Sequence, residues 1–266
     1  MLSPAKINLM LRVVGQRGDG YHLLQTCFQL LDWGDEITFM PIKRQCANQI
    51  EIKGFDDLAL KDNLIYKAAQ MLKPFAKLNA DWLVRVDKRI PLGAGLGGGS
   101  SNAATTLKFL NQAWQCDLCL SDLMKMGAKL GADVPVFILG HSALASGIGD
   151  ELTPMEFNTP NILLLFPGCH VDTAELFASR RLIRDQSQIK SGELHKKSFW
   201  INDFMPVVLQ QFPEIEYVYT RLKNEMNLRL SGSGSTLFAI FNDSKSAEKS
   251  YDKASEFCQA YLVKPI

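Results

Sequence analysis

Apolar and polar residues alternate near the start of the chain. Apolar side chains fall on the odd positions from Ala5 to Val13, and Lys6 and Asn8 stand between them. A repeat of two predicts a strand that is buried on one face. Lys6 and Asn8 should therefore project from the same face of that strand.

The rest of the first half is predicted to form strands and helices separated by turns. Glycine and aspartate predict turns at residues 18–20 and 32–35, and further strands are expected near 37–39, 50–52 and 82–86. Apolar residues at helical spacing predict three helices. These begin near residue 62, directly after a glycine cluster at 93–99, and at an N-cap on Ser121, the last one ending at Gly131.

The second half repeats this mixture. Residues 153–160 carry two prolines and an asparagine and are the best linker candidate. Beyond them the pattern predicts strands at 162–166 and 236–241, a glycine-serine turn at 231–235, and helices at 206–223 and 247–262. The fold class is therefore α+β or α/β in two domains, residues 1–155 and 156–266.

Charge and hydropathy exclude several classes of protein. The chain has 266 residues, with 29 basic against 28 acidic side chains and a formal charge of +1, so no basic surface indicates a nucleic-acid partner. Its longest apolar runs are far shorter than the roughly 18 to 20 residues that cross a bilayer. With 47% hydrophobic and 21% charged residues, disorder is excluded and a globular cytoplasmic protein is expected.

The glycine cluster is the most informative segment. Five glycines fall within the seven residues from Gly93 to Gly99, where average composition would place about half of one. Glycine lets backbone N–H groups approach a ligand closely, and Ser100 and Ser101 then begin a helix whose N-terminal amides favour an anion. The pattern predicts a phosphate-binding loop.

Other glycine-rich loops fit less well. The Gly93, Gly95 and Gly98 spacing satisfies a dinucleotide-binding pattern, but the following helix leaves no room for the second strand and its acidic residue. A Walker loop requires a lysine at its end, and this cluster has none there. The downstream motifs of protein kinases are absent as well. A merely flexible turn remains the alternative.

The cluster resembles the phosphate loop of the GHMP small-molecule kinases. Four further segments occur in the order typical of one branch of that family, whose acceptor is a cytidine diphosphate-linked methylerythritol. They are Ser-Pro-Ala-Lys-Ile-Asn-Leu at 3–9, Asp-Gly-Tyr-His-Leu-Leu-Gln at 19–25, Leu-Gly-Ala-Asp-Val-Pro-Val-Phe at 130–137 and Ser-Gly-Ser-Gly-Ser at 231–235. The resemblance covers residues 3 to about 240.

The resemblance implies a GHMP kinase fold. Its N-terminal domain would be ribosomal-protein-S5-like with a left-handed β-α-β unit, its C-terminal domain ferredoxin-like, and the active site would lie between them. It also implies ATP and Mg²⁺ as cofactors, a small-molecule acceptor, and a monomer or homodimer. The implied ATP-binding residues are Pro91, Leu92, Gly93, Ala94, Gly95, Leu96, Gly97, Gly98, Gly99, Ser100 and Ser101.

Two residues are implied as catalytic. Asp133 alone could be an N-cap before Val134, or a partly desolvated carboxylate that acts as a base. Lys6 could be an ordinary solvated lysine, but its family counterpart would stabilise the alkoxide and the transferred phosphoryl group. Asn8 would bind substrate or orient this pair. The resemblance favours the catalytic interpretations and assigns no metal ligand.

Four residues besides Asn8 are implied in acceptor binding. Tyr21 would stack on the cytosine and His22 would bind the edge of the base, although both could be ordinary turn residues. Phe177 resembles the aromatic residue on the other side of the base, and Thr173 a further contact. Ala174 stands where proline is common in this branch, which weakens these last two assignments.

Two other hypotheses stay open at this point. The chain could be another member of the family that acts on homoserine, mevalonate or a sugar. It could also be a nucleotide-binding regulator that kept the fold without the chemistry, although such a protein would need the glycine loop and not Asp133.

Overall fold

The computed structural model describes residues 1–43, 48–55, 58–149 and 151–266. The chain forms two compact units, and β1 and β2 contribute residues to both of them. The first unit contains Met1–Ala5, Trp33–Pro91 and Gly97–Gly140. The second unit contains Lys6–Asp32, Leu92–Leu96 and His141–Ile266. The domain boundary at residue 155 stays a prediction.

Strands and helices are interspersed throughout the described residues. The strands are β1 Leu2–Gln16, β2 His22–Ile42, β3 Ile50–Lys53, β4 Asp81–Asp87, β5 Ala143–Ser146, β6 Glu151–Pro154, β7 Asn161–Phe166, β8 Arg229–Leu230, β9 Leu237–Phe241 and β10 Gln259–Val263. The helices are α1 Leu64–Leu72, α2 Gly98–Ala113, α3 Leu120–Leu130, α4 Val134–Leu139, α5 Thr173–Ala178, α6 Met205–Gln211, α7 Pro213–Leu222 and α8 Ser244–Ser255. No helix in this part of the chain is both long enough and apolar enough to span a membrane.

The first unit packs helices against a small sheet. The second half of β2 runs antiparallel to β4, and β4 runs parallel to β3. Asn63 begins α1 by accepting the Ile65 N–H at 2.9 Å, and the helix buries Ile65, Ala68, Ala69 and Leu72. α1 packs on α2, and both α2 and α3 pack on α4. The buried residues of α1 recur at the helical spacing expected from the sequence.

The second unit contains a four-stranded antiparallel sheet in the order β10-β7-β9-β8. Its chain order is strand, helices, two strands, helix and strand, which is the arrangement of ferredoxin-like domains. Leu163 and Leu165 of the central strand β7 belong to its core, together with Phe204, which precedes α6, and Leu222 of α7. The first half of β2 pairs with β5, which pairs with β6. The predicted ferredoxin-like domain is confirmed.

Four predicted boundaries are wrong. The N-cap expected at Ser121 lies inside α3, because that helix begins at Leu120 with Cys119 at the N-cap position. No turn interrupts β2 at residues 32–35. Gly34 stands there because an added Cβ would lie 2.1 Å from the Ser3 carbonyl oxygen, so this glycine reflects close approach of two strands. The helix expected at 206–223 is divided into α6 and α7 just before Pro213, whose ring and missing N–H do not allow a continuous helix.

The fourth error concerns the end of the chain. The helix expected at 247–262 ends at Ser255, and residues 259–263 form β10 instead. Ala260 and Val263 are buried there, and the strand pairs with β7 along its whole length. A free sheet edge therefore prevails over the local helical pattern, because pairing satisfies its backbone groups.

Candidate active site

The part of the glycine cluster that belongs to the second unit, Leu92–Leu96, is fixed through Gly95. Its carbonyl oxygen accepts from Lys6 Nζ at 3.1 Å and from Ser231 Oγ at 2.9 Å. Gly95 has φ +74°, and an added Cβ would lie 2.2 Å from the Ser231 carbonyl oxygen. Only glycine tolerates both this conformation and this proximity.

Neighbouring residues of the loop are also held closely. Gly93 has φ +65°, and an added Cβ would lie 1.9 Å from His170 Nδ1. The Ala94 carbonyl oxygen accepts from the Thr236 N–H at 3.2 Å. Leu92 is 78% exposed. Residues 92–96 are therefore held within the second unit by close packing at Gly93 and a backbone hydrogen bond at Ala94.

The part of the cluster that belongs to the first unit opens α2. Gly97 precedes the helix in the left-handed conformation, with φ +71° and no side chain to cap it. The first helical hydrogen bond runs from the Ser101 N–H to the Gly97 carbonyl oxygen at 2.8 Å. The amides of Gly98, Gly99 and Ser100 precede that bond, so they are the ones available to an anion.

The side chains that follow turn into the fold. Ser101 is fully buried, and its Oγ lies 2.8 Å from Ser3 Oγ, which is also 2.8 Å from Asn102 Oδ1. Asn102 Nδ2 is buried and has no acceptor among the described residues. A buried N–H group without a partner is costly, so a ligand oxygen at this position would relieve it.

A lysine outside the prediction lies next to the start of α2. Lys88 forms an ion pair with Asp35, which is fully buried and also accepts the N–H groups of Arg89 and Ile90 at 2.8 and 2.9 Å. An added Cβ on Gly98 would lie 3.3 Å from Lys88 Nζ. The first turn of α2 therefore has a fixed cation beside it.

Lys6 and Asn8 form a buried polar pair on β1. They are 3% and 2% exposed, and Lys6 Nζ donates to Asn8 Oδ1 at 2.6 Å. Asn8 Nδ2 donates to Thr26 Oγ1 at 2.8 Å, and the Thr26 hydroxyl donates to the Met10 carbonyl oxygen at 2.6 Å. Since Lys6 also bonds Gly95, its ammonium is held against the glycine loop.

Asp133 stands at the N-cap position of α4, but its side chain makes no capping hydrogen bond. Pro135 in the first turn needs no N–H partner, so one of the usual reasons for a cap is missing. Asp133 is half-buried, and a Cβ on the nearby Gly131 would lie 3.6 Å from Ser100 Oγ. Asp133 therefore belongs to the turn that packs beside the start of α2.

His22 and Phe177 come together in the second unit. Their rings are stacked, with centroids 4.6 Å apart and an angle of 25°. Arg184 donates to His22 Nε2 at 3.0 Å. Burial, and after it the charge of Arg184, lowers the pKa of His22 below its ordinary value. Tyr21 is 62% exposed and has no aromatic partner among the described residues.

Thr173 lies at the start of α5. Its Oγ is 2.6 Å from Ser233 Oγ, so it joins this helix to the 231–235 turn. Asp172 caps α5 by accepting the N–H groups of Ala174 and Glu175 at 2.8 and 3.4 Å. The aspartate therefore has a structural role beside the altered Ala174.

Three residues of these clusters were not predicted from the sequence: Thr26, Lys88 and Arg184. Lys88 stands three residues before Pro91. This position close to the glycine cluster is the sequence feature that could have indicated a role for it. Thr26 and Arg184 reach their partners through strand pairing and a long irregular segment. No local pattern indicates such contacts.

Known proteins resemble this chain over nearly its whole length. Residues 63–141 match the family model for the GHMP kinases N terminal domain, and residues 188–260 match the one for the GHMP kinases C terminal domain. The chain is 42% identical over 263 residues to the 4-diphosphocytidyl-2-C-methyl-D-erythritol kinase of Acinetobacter baumannii (strain ACICU), covering 98% of this chain and 93% of that protein. It is 43% identical over 249 residues to the kinase of that name from Marinomonas sp. (strain MWYL1), with coverages of 93% and 80%.

Solved structures agree with these relatives. A crystal structure of 4-(cytidine 5'-diphospho)-2C-methyl-D-erythritol kinase has a TM-score of 0.85 at 29% identity, covering 100% of this chain and 98% of that one. A crystal structure of mevalonate kinase has a TM-score of 0.68 at 13% identity, with coverages of 98% and 97%, and shows a shared fold. By its matches along the sequence and by its fold, the chain belongs to the 4-diphosphocytidyl-2-C-methyl-D-erythritol kinases of the GHMP kinase family.

Proposed function

We propose that the chain transfers the γ-phosphoryl group of ATP to the 2-hydroxyl of 4-diphosphocytidyl-2-C-methyl-D-erythritol, a step in non-mevalonate isoprenoid precursor biosynthesis. The observation that carries the reaction type is the buried ammonium of Lys6, bonded to Asn8 Oδ1 and to the Gly95 carbonyl oxygen. A lysine is rarely buried unless it is paired. Placing one against a phosphate loop suits phosphoryl transfer, which depends on positioning and charge stabilisation.

The residues of the glycine cluster fit ATP. The Gly98, Gly99 and Ser100 amides precede the first helical hydrogen bond, Lys88 lies beside them, and the Asn102 Nδ2 donor is buried without an acceptor. All of these groups donate or carry positive charge, as triphosphate oxygens require. Pro91 to Ser101 would thus bind ATP mainly through the backbone.

Asp133 would act as the general base. It would take the proton of the 2-hydroxyl while that oxygen bonds to the γ-phosphorus and the bond to the bridging oxygen of ADP breaks. Lys6 would favour the alkoxide and offset the charge on the transferred group, and Asn8 would orient the Lys6 ammonium.

Mg²⁺ is proposed as the second cofactor. Among the described residues no group of three His, Cys, Asp or Glu side chains could hold a metal ion. Mg²⁺ commonly binds through few protein ligands together with substrate phosphates. It would therefore be bound mainly by the ATP phosphates, where it neutralises charge on the β- and γ-oxygens.

The acceptor assignment rests on the named relatives and on the aromatic pair. Tyr21, His22, Phe177 and Thr173 would form the cytidylyl-binding residues. A stacked ring and an imidazole are suited to a base, whereas mevalonate and homoserine have no ring to stack. A cytoplasmic location, a two-domain division at residue 155 and a monomer or homodimer remain predictions.

An acceptor comparison tests this proposal. The chain is supplied with ATP, Mg²⁺ and, separately, the cytidylyl acceptor, mevalonate or homoserine, and ADP release is followed to obtain kcat/KM. The cytidylyl acceptor should exceed the others by at least about 10³-fold, because buried polar groups matched to one substrate remain unpaired with another. Equal or greater turnover of mevalonate or homoserine would overturn the acceptor assignment.

A further inference from the structure

Arg184 belongs to a charged segment, residues 180–197, that is held against the strands of the second unit. Gln25 of β2 exchanges two hydrogen bonds of 2.8 Å with the backbone of Ile189. The Gln186 N–H donates to the Val13 carbonyl oxygen at 3.1 Å. This segment is largely irregular, but it is anchored beside the residues implied in binding the base.

The guanidinium of Arg184 bonds to four acceptors. Its Nε donates to His22 Nε2 at 3.0 Å, and its Nη1 to the Leu182 carbonyl oxygen at 2.9 Å. Its Nη2 donates to the carbonyl oxygens of Phe177 and Ser179 at 2.6 and 2.8 Å. One rigid group therefore joins His22 to the backbone of the residue on which its ring stacks.

This arrangement fixes the tautomer of His22. A guanidinium has only donors, so Nε2 must accept with its lone pair. The neutral imidazole then carries its proton on Nδ1. Among the residues that the structure describes, none bonds to Nδ1, which leaves this donor to a ligand. Burial and the nearby positive charge, which lower the pKa of His22, favour the same neutral form.

A donor fixed at Nδ1 of His22 can distinguish cytosine from uracil. Cytosine has acceptors at O2 and N3, whereas uracil carries a hydrogen on N3 and donates there. A histidine whose tautomer is free to change could match either base at N3. A histidine locked as the Nδ1–H tautomer opposes the N3–H of uracil and leaves a donor unsatisfied.

We propose that Arg184 is a positioning residue that locks His22 as a neutral Nδ1–H donor stacked on Phe177, and thereby selects a cytidylyl over a uridylyl acceptor. This inference rests on the proposed function, because it concerns the same acceptor. Arg184 acts through His22 and contacts no reacting atom.

The test uses Arg184→Met, which keeps the length of the side chain and removes its donors, and Arg184→Lys, which keeps one cationic donor. Arg181→Met is the matched control, because Arg181 lies in the same segment and donates to Gln210 at the exposed surface. Arg184→Met should raise KM for the cytidylyl acceptor about tenfold and leave kcat and the KM for ATP within about twofold. The cytidylyl-to-uridylyl ratio of kcat/KM should fall about tenfold, with partial recovery in Arg184→Lys and none of these changes in Arg181→Met. Unchanged selectivity in a folded Arg184→Met protein would overturn the proposal.

A spectroscopic measurement on the unmodified protein does not depend on turnover or on a variant that folds. The ¹⁵N signals of the His22 ring, assigned with His22→Gln, report which nitrogen carries the proton. Protonated Nδ1 supports the proposal and protonated Nε2 overturns it, even in an active enzyme. Protonated Nδ1 in a protein that phosphorylates no cytidylyl acceptor would contradict the proposed function while supporting the contact between Arg184 and His22.

Discussion

Lys6 lies in an environment that is unusual for a lysine. Its side chain is 3% exposed, and its ammonium lies within hydrogen-bond distance of two neutral oxygens, Asn8 Oδ1 and the Gly95 carbonyl oxygen. Desolvating an ammonium costs several kcal/mol. A buried ammonium held against the glycine loop suits the proposed role in stabilising charge on a transferred phosphoryl group.

Asp133→Asn tests the base at the residue scale. The amide keeps the shape of the side chain but cannot accept the hydroxyl proton, so kcat should fall by about 10²- to 10⁴-fold. ATP binding, measured by calorimetry, should be unchanged, since the carboxylate makes no capping hydrogen bond that would hold α4 and its neighbours in place.

Asp122→Asn is the matched control, because Asp122 lies in the first turn of α3 and pairs loosely with Lys125 at 3.8 Å. It should leave kcat unchanged. A kcat of Asp133→Asn within a few-fold of the unmodified enzyme would remove Asp133 from the mechanism.

The sequence predicts some of these residues and not others, for a physical reason. Lys6 and Asn8 were expected on one face because strand periodicity is local. The pairing of Asn8 with Thr26, and of His22 with Arg184, depends on which segments meet in the fold. Such contacts between distant residues are set by tertiary structure and leave no mark in a short pattern.

At the scale of elements, the glycine loop is defined by backbone conformation. Gly95 and Gly140 make a matched pair, since their φ values are +74° and +75°. A Cβ on Gly95 would meet the Ser231 backbone at 2.2 Å, whereas a Cβ on Gly140 would meet nothing within 4 Å. Alanine substitutions at the two positions therefore separate the stability cost of a left-handed backbone from that of a close contact.

Gly140→Ala should lower the free energy of unfolding by about 1 to 2 kcal/mol, the usual cost of a left-handed residue with a Cβ. Gly95→Ala should lower it further, because the Ser231 backbone must also move, and it should raise the KM for ATP. Urea unfolding and steady-state kinetics measure both effects. Equal losses of stability and an unchanged KM for ATP would show that the loop does not depend on this contact.

Elements with a long, regular pattern were predicted best. α1 follows its helical period, and β7 is the buried strand expected from its apolar run. β1 forms where it was expected, but both of its faces are buried from Ala5 to Leu11, whereas the alternation predicted one buried face. The errors fall at Gly34, where glycine permits two strands to approach, and at β10, where pairing with β7 decides the structure. In both cases the deciding contact is distant in sequence, which is why local propensity fails there.

At the scale of the whole molecule, the near-zero net charge limits how anionic substrates can be attracted. A chain with a formal charge of +1 provides no extended positive field for a triphosphate or a cytidylyl diphosphate. On the proposed function, anions would be bound by local groups, for which the α2 amides, Lys88 and Lys6 are the candidates among the described residues. The βαββαβ order of the second unit and the full-length matches to relatives agree with a kinase of this family.

The most direct test of the central claim is ³¹P NMR of a reaction that contains the purified chain, ATP, Mg²⁺ and 4-diphosphocytidyl-2-C-methyl-D-erythritol. The account predicts that the γ-phosphate signal of ATP is replaced, one for one, by ADP and by a phosphomonoester on the 2-hydroxyl of the acceptor, with no change when the acceptor is omitted. Absence of ATP consumption, or a phosphomonoester at another hydroxyl, would contradict it.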